Sequence, residues 1–295
     1  MTMRLTFYSG GWLYAALVAP ILLLILIFFY LPVGLAFYWS FFLEQPFGGG
    51  AQFVGFDNFA RLLGDAGFWA AARRSLVFML VSSGLGLAAA LALALAADRG
   101  LKMSRLARNV LIWPKAISVV SIGVIFTFIF NPFLGIFAPV NALFPGLWNP
   151  RIDGTQAFAT VVLAQVWHSL PFNFIILLSG LQTIPDTLVR AAAMDGAGPW
   201  RRMRDLQLPL LTPQLFLTFV LEFIGAAVEP FGLIDTMTHG GPGDATSLLI
   251  YKIYTDGFQA YDLSGASAQT VLLMLMVIAM VLLQFRLERH VKYER

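Results

Sequence analysis

Residues 181–213 read LQTIPDTLVRAAAMDGAGPWRRMRDLQLPLLTP, and this stretch decides the fold. It is a polar interruption between two strongly apolar segments, yet it carries helical punctuation. Thr183 can cap, Pro185 suits a first helical turn, and Asp186 lies three residues after the cap. A short helix is expected from about Ile184 to Met194, stopped by Gly196 and Gly198, with Pro199 opening a second piece that carries Arg201, Arg202 and Arg204. Leu188, Ala191, Ala192 and Met194 are expected near one face, small and apolar enough to lie in a groove of another protein. The stretch reads as a docking helix held outside a membrane.

Composition says what holds it there. The chain has 295 residues, 59% hydrophobic and only 12% charged, with a mean hydropathy of +0.78. A charged shell around a water-soluble core is not available to such a chain, so it reads as an all-α integral membrane protein. There is no cysteine, hence no disulfide framework and no thiolate metal site. A formal charge of +3, with the basic residues clustered at span edges, does not suit nucleic acid.

Outward from the docking stretch, six spans are expected. Residues 5–43 carry no charge, a run longer than the 7–15-residue apolar region of a signal peptide, and should hold the first span. Glu44 to Trp69 is a loop with a short amphipathic piece at Val54 to Leu63, lying along the membrane surface. The second span covers Ser75 to Ala97, where Gly84 and Ala88 form a small-xxx-small pair suited to close helix packing. The third runs from near Asn109 to Phe130, ended by Asn131-Pro132, and 131–157 is a loop. The fourth, Phe158 to Gly180, should kink at Pro171; the fifth is Leu208 to Pro230 and the sixth Leu263 to Phe285. Between the last two lies a polar segment, Asp235 to Asp262, with a Gly240-Gly241-Pro242-Gly243 turn and a helix from Ser247 to Gly257.

Arg4, four basic residues at 99–108 (Arg99, Lys102, Arg105, Arg108), four in the docking stretch and four at the C-terminus lie on one side of this topology, 13 of the 19 Lys and Arg. The positive-inside rule puts both termini and the docking stretch in the cytoplasm. The segment 235–262 then faces outward.

Ionisable groups inside spans are expensive, so Lys115, Glu222 and Glu229 are candidates for a transport path. Seven residues, about two turns, separate Glu222 from Glu229, which share one face of the fifth span. That face either lines a path or pairs with a neighbouring helix; Lys115 either belongs to it or snorkels to the interface. His168 and Asn173 flank Pro171, as helix glue or as donors to a ligand. The three histidines fall in the fourth span (His168), outside (His239) and in the cytoplasm (His290), so no catalytic or metal constellation converges. No phosphate-cradling Gly-x-x-x-x-Gly-Lys-Ser/Thr loop is present.

Ala191-Ala192-Ala193-Met194-Asp195-Gly196-Ala197-Gly198-Pro199, followed by Leu208-Pro209-Leu210 and Pro213, resembles the coupling motif of binding-protein-dependent ABC importer permeases. His239-Gly240-Gly241-Pro242 and Thr246 resemble the outward turn of their carbohydrate-uptake branch. The segments 247–254, 256–258, 284–286, 46–48 and 52–55 are similar to the permease subunits of glycerol-3-phosphate importers. One departure stands out: Arg190 occupies the place where the family motif opens with glutamate, either altering the contact with the ATPase or sitting on a solvated face.

The resemblance implies a type I ABC importer permease fold with six transmembrane helices and a cytoplasmic coupling helix, in a bacterial cytoplasmic (inner) membrane. It divides the chain into 1–68 (first span and outward loop), 69–290 (a five-span core with the coupling loop 181–213) and a tail, 291–295. Arg190, Ala191, Ala192, Ala193, Met194, Asp195, Gly196, Ala197 and Gly198 would couple to an ATPase. The implied partners are a second permease forming a heterodimer, two ATPase subunits that bind ATP and Mg, an extracytoplasmic binding protein, and lipid. The chain itself would bind no cofactor and catalyse nothing. Two acids on one face sit poorly with a phosphorylated anion, so a neutral sugar, oligosaccharide or polyol stands as the alternative cargo. A proton-coupled secondary transporter using Glu222, Glu229 and Lys115 as a relay is the alternative from another class.

Overall fold

Backbone N–H and C=O groups surrounded by hydrocarbon must be satisfied within their own segment, and the apolar runs accordingly fold as long helices. The computed structural model describes residues 11–44, 49–98, 111 and 113–288. Among the described residues, five helices are long and apolar enough to cross a membrane: Tyr14–Ser40, Ala66–Asp98, Gly154–Gln182, Pro199–Val228 and Leu263–Arg286. A shorter apolar helix, Val119–Ile129, lies in the expected third span. The basic loop at 99–108, Arg4, His290 and the last three basic residues fall outside the described residues.

In chain order the elements are α1 (Gly11–Ile25), a π-helical turn (Leu26–Tyr30), α2 (Leu31–Ser40), β1 (Phe42–Glu44), β2 (Ala51–Phe53), α3 (Asp57–Leu63), α4 (Ala66–Asp98), α5 (Val119–Ile129), α6 (Ala138–Leu143) and α7 (Gly154–Gln182). Then come α8 (Asp186–Met194), α9 (Pro199–Arg202), a second π-helical turn (Met203–Gln207), α10 (Leu208–Val228), α11 (Phe231–Met237), α12 (Leu249–Tyr254), a third π-helical turn (Thr255–Gln259) and α13 (Leu263–Glu288). The chain divides into two compact units, 1–64 with 255–272 and 65–254 with 273–295.

In the first unit the loop after the first span contains an antiparallel hairpin, β1 paired with β2, where only a turn-rich loop was expected. Asn58, buried on α3, ties it down by donating to the carbonyls of Ser40 (3.0 Å) and Phe42 (2.9 Å). The amphipathic piece starts at Asp57 instead of Val54. Arg61 reaches Asp262 at 3.1 Å, an exposed pair of small energetic weight.

The second unit is built on α4, α7 and α10, which pack on one another. The expected packing pair on α4, Gly84 and Ala88, is exposed instead, and a Cβ at Gly84 would meet nothing within 4 Å. The buried seam is Gly86, Ala90 and Ala94, four residues apart. Large apolar residues lie on both faces of α4, Phe78, Met79 and Leu95 buried and Leu80, Val81 and Leu85 exposed, so which small stripe packs depends on the partner helices. Gly180 on α7 is a second close crossing, where a Cβ would stand 2.7 Å from Leu211 of α10. Gly123 on α5 is a third, 2.9 Å from the Cβ of Thr236 on α11. Gly123→Ala is therefore expected to destabilise the isolated chain by about 1–3 kcal/mol through overpacking. Gly84→Ala should leave the thermal unfolding midpoint of the same preparation unchanged or slightly raised.

Three span boundaries differ from expectation. α4 starts nine residues before Ser75 and includes Arg73 and Arg74, since two flanking arginines do not stop a helix whose ladder is already satisfied. The third span is not one helix: residues 113–116 are helical, the backbone opens at Ile117 and Ser118, and α5 begins with Ser118 extended (ψ 138°). α7 starts at Gly154, capped by Asp153, whose carboxylate accepts from the N–H groups of Thr155 (2.8 Å) and Gln156 (3.0 Å). α7 remains helical through Pro171.

The docking stretch also corrects its caps. Thr183 does not cap the short helix; its hydroxyl donates to the carbonyl of Gly180 at 2.7 Å and so closes α7. The N-cap of α8 is Pro185, extended (ψ 128°). The arginine-rich second piece is continuous with the fifth span, α9 passing through the π-helical turn into α10.

Candidate functional site

Two apolar clusters fill the second unit, and between them lies a polar layer. Along α4 the order is Phe78 and Met79, then Ser82, Ser83 and Gly86, then Ala90 and Ala94. Along α7 it is Val161 and Val162, then Gln165, His168, Ser169 and Asn173, then Phe174, Leu177 and Leu181. α10 runs the other way, Leu211, then Thr218 and Glu222, then Phe223, Ala226 and Ala227. All these polar side chains are buried, midway along α4 and α7, where an unpaired polar group is costly.

The two acids of the fifth span sit differently, Glu222 within this layer and Glu229 past Ala226 and Ala227, at the end of α10. Glu222 is buried and accepts from Asn173 Nδ2 at 2.9 Å. Gly86 of α4 lies against the pair; a Cβ there would stand 3.3 Å from Glu222 Oε1 and 3.4 Å from Ser169 Oγ. Glu229, at the end of α10, is the focus of three groups. Lys115 Nζ is 3.6 Å from Oε1, His168 Nδ1 is 3.7 Å from Oε2, and Gln165 Nε2 donates to Oε2 at 3.2 Å. Lys115 and Glu229 are part-exposed, with side chains 41% and 38% accessible, whereas His168 and Gln165 are buried.

All five predicted path residues thus fall in one unit: Lys115, His168 and Glu229 meet directly, Asn173 meets Glu222. Gln165, Ser169 and Gly86 were missed. The signal was present, since Gln165, Ser169 and Asn173 repeat every four residues on an otherwise apolar helix.

The docking helix α8 stands exposed, with Met194 at 86% and Leu188 at 46% accessibility, while Val189 and Ala192 turn toward the protein. Its end is a Schellman motif: Gly196 N–H bonds the Ala193 carbonyl (3.1 Å) and Ala197 N–H bonds the Ala192 carbonyl (2.9 Å), with Gly196 at φ +79°. This is the physical reason for Asp195-Gly196-Ala197. Gly196→Val is expected to fray the helix end, costing about 1 kcal/mol, read as faster amide exchange at Ala193 to Ala197. Arg190 pairs with Asp186 one turn back at 3.5 Å, both exposed. Trp200, 71% accessible at the start of α9, is an apolar anchor that sequence reading passed over.

The Gly240-Gly241-Pro242-Gly243 turn has Gly240 at φ +82° and Gly243 at φ +55°. Buried Thr246 staples it, its hydroxyl lying 2.7 Å from that of Thr238 and 2.9 Å from the Gly241 carbonyl. A cavity of about 240 Å³ beside it is lined by Thr127, Phe130, Arg151, Thr160 and Pro242.

Membrane-length helices around a buried polar layer, with an exposed helix carried between two of them, define a membrane transport subunit that answers to a partner outside the bilayer. The chain belongs to the family described as "Binding-protein-dependent transport system inner membrane component", matched over residues 82–293. It is 42% identical over 287 residues to the sn-glycerol-3-phosphate transport system permease protein UgpA of Yersinia pseudotuberculosis, covering 97% of this chain and 98% of that protein. Against the same-named protein of Pectobacterium atrosepticum it is 40% identical over 295 residues, covering both chains fully (100%). Among solved structures it matches a chain of a bacterial alginate ABC transporter, in complex with an alginate pentasaccharide-bound periplasmic protein. The TM-score is 0.80 at 20% identity, over 96% of each chain. The chain is a multi-pass inner-membrane permease subunit of a binding-protein-dependent ABC importer, and a non-catalytic one.

Proposed function

We propose that the chain forms half of the translocation path for glycerol-3-phosphate or a related glycerophosphodiester. The observation that carries this reading is the neutralisation of Glu229. Its carboxylate is held by Lys115, His168 and Gln165, and Glu222 is turned into the α4–α7 packing against Asn173. The objection that two open acids would repel a phosphorylated cargo therefore loses its force. The names of relatives at 40–42% identity over nearly the whole chain support the same cargo.

In this reading Glu229, Glu222, Lys115, His168 and Asn173 belong to the path, and the opened backbone at Ile117–Ser118 lies beside it, as non-helical backbone at membrane depth does where it lines a cavity. Residues 190–198 seat on one of two ATPase subunits, which bind ATP and Mg; a second, different permease completes the path, and a binding protein delivers cargo from outside. Both termini lie in the cytoplasm. ATP binding moves α8 and biases a two-state element between inward and outward openings.

The test is to express the chain with its genomic neighbours, purify the complex in mild detergent, and measure ATP hydrolysis with binding protein and either glycerol-3-phosphate or maltose. Stimulation by glycerol-3-phosphate and not maltose is expected; the reverse pattern assigns a neutral sugar, and a chain that purifies without an ATPase overturns the coupling assignment. In the same complex Arg190→Glu is expected to lower stimulated hydrolysis several-fold, because it loses the Asp186 pair and reverses charge on the docking face; unchanged hydrolysis and assembly would show that 190 is only a solvated position.

A further inference from the structure

We infer that Lys115, His168 and Gln165 form an anion cradle in which Glu229 is an internal stand-in for the phosphate group of the transported substrate. The inference rests on the proposed path and names what selects the cargo there. Three nitrogens from two elements converge on one carboxylate: Nε2 of Gln165 donates to it at 3.2 Å, Nζ of Lys115 pairs with it at 3.6 Å, and Nδ1 of His168 faces it at 3.7 Å. A carboxylate and a phosphate monoester present the same oxygen acceptors to such donors. His168 and Gln165 are buried on α7, fixed by packing, and stay in place when Glu229 moves. Glu229 can move: it sits on the last turn of α10, 38% accessible, and the turn beneath it is Gly225, which has no side chain to lock the carboxylate.

A second observation points the same way. Lys115 lies two residues before the opened backbone at Ile117–Ser118, from which α5 starts. The first turn of α5 packs on the residues just after Glu229, since a Cβ at Gly232 would stand 3.3 Å from Val119 Cγ1. An 11-residue helix thus begins four residues after Lys115, with the positive end of its dipole at that terminus. The cradle sits at the edge of the polar layer, its buried side formed by His168 and Gln165 and its open side by the part-exposed Lys115 and Glu229, and a charge within a span is tolerated best in a pair. In the resting protein Glu229 supplies the negative partner. When cargo arrives, its phosphate takes over Lys115, and the displaced carboxylate swings to the open side. A neutral sugar cannot make this exchange.

The experiment uses the whole nucleotide-free complex and inorganic phosphate as the probe. Glu229→Gln is expected to bind millimolar phosphate, read as a rise in thermal unfolding midpoint, with little or no response in the wild type or in Glu229→Gln/Lys115→Gln. No phosphate response in an assembled Glu229→Gln complex overturns the cradle, and so does an equal response in the double variant, which puts the phosphate elsewhere. Lys115→Gln alone keeps the inference testable if Glu229→Gln does not assemble. Its uptake of glycerol-3-phosphate into proteoliposomes should fall at least tenfold, with Lys115→Arg restoring most of it. Uptake unchanged in Lys115→Gln overturns the cradle while leaving the cargo assignment standing; a wild-type complex that takes up maltose instead overturns the cargo assignment by itself.

Discussion

Leu188→Asp combined with Met194→Asp is expected to release the ATPase subunits from the purified complex, lowering their apparent affinity by two orders of magnitude or more. Both side chains are exposed on α8, Met194 almost fully. An apolar side chain that a short polar helix holds in water is a binding anchor before it is anything else. Truncating or charging such an anchor costs about 2–4 kcal/mol each, and at 1.4 kcal/mol per tenfold the pair exceeds a hundredfold. Little inside the protomer rests on Met194, 86% accessible, and Leu188 is less covered than Val189 and Ala192, the half-buried side of α8. The permease itself should therefore purify in normal yield with its partner permease. Co-purification of the ATPase at wild-type stoichiometry would reject α8 as the coupling surface.

Asn173→Leu is expected to be the most damaging single change inside the membrane. Asn173 is fully buried, and its amide is a donor to the buried Glu222 carboxylate at 2.9 Å. Leucine is close in size, so packing is conserved and the loss is electrostatic: a buried acid stripped of its donor costs about 3 kcal/mol. The thermal unfolding midpoint of the complex should fall accordingly. Glu222→Leu in the same chain should restore most of it, since removing both partners of a buried polar pair is nearly neutral. A double variant as unstable as the single one would mean that Asn173 matters for its shape and not for Glu222. Transport in the stable double variant then reports whether Glu222 serves the path at all.

Much of this was legible in the chain. Periodicity, runs without charge and Gly/Pro punctuation located the long helices, though two of them, Ala66–Asp98 and Pro199–Val228, begin nine residues before the expected starts; hydrocarbon leaves the backbone no other way to satisfy its hydrogen bonds. Asp195-Gly196-Ala197 was legible as a helix stop, and Gly196 is one because its φ of +79° suits no other residue well. The path residues were legible one at a time, as charges where charge is costly.

What the sequence by itself determined, then, is membrane residence, the helix inventory and the exposed docking helix, all of which follow from local composition and chain geometry. Only the tertiary structure decided which small-residue stripe of α4 packs, since Gly84 with Ala88 and Gly86 with Ala90 are equivalent until a neighbouring helix chooses. It also decided that Glu222 and Glu229, two turns apart on one helix face, have different partners. Asn173 takes one, and Lys115, His168 and Gln165 take the other. Those partners come from up to 114 positions away along the chain, measured from Lys115 to Glu229. An ion pair made over that separation exists only once packing has set the depth and rotation of each helix, and no local pattern encodes either.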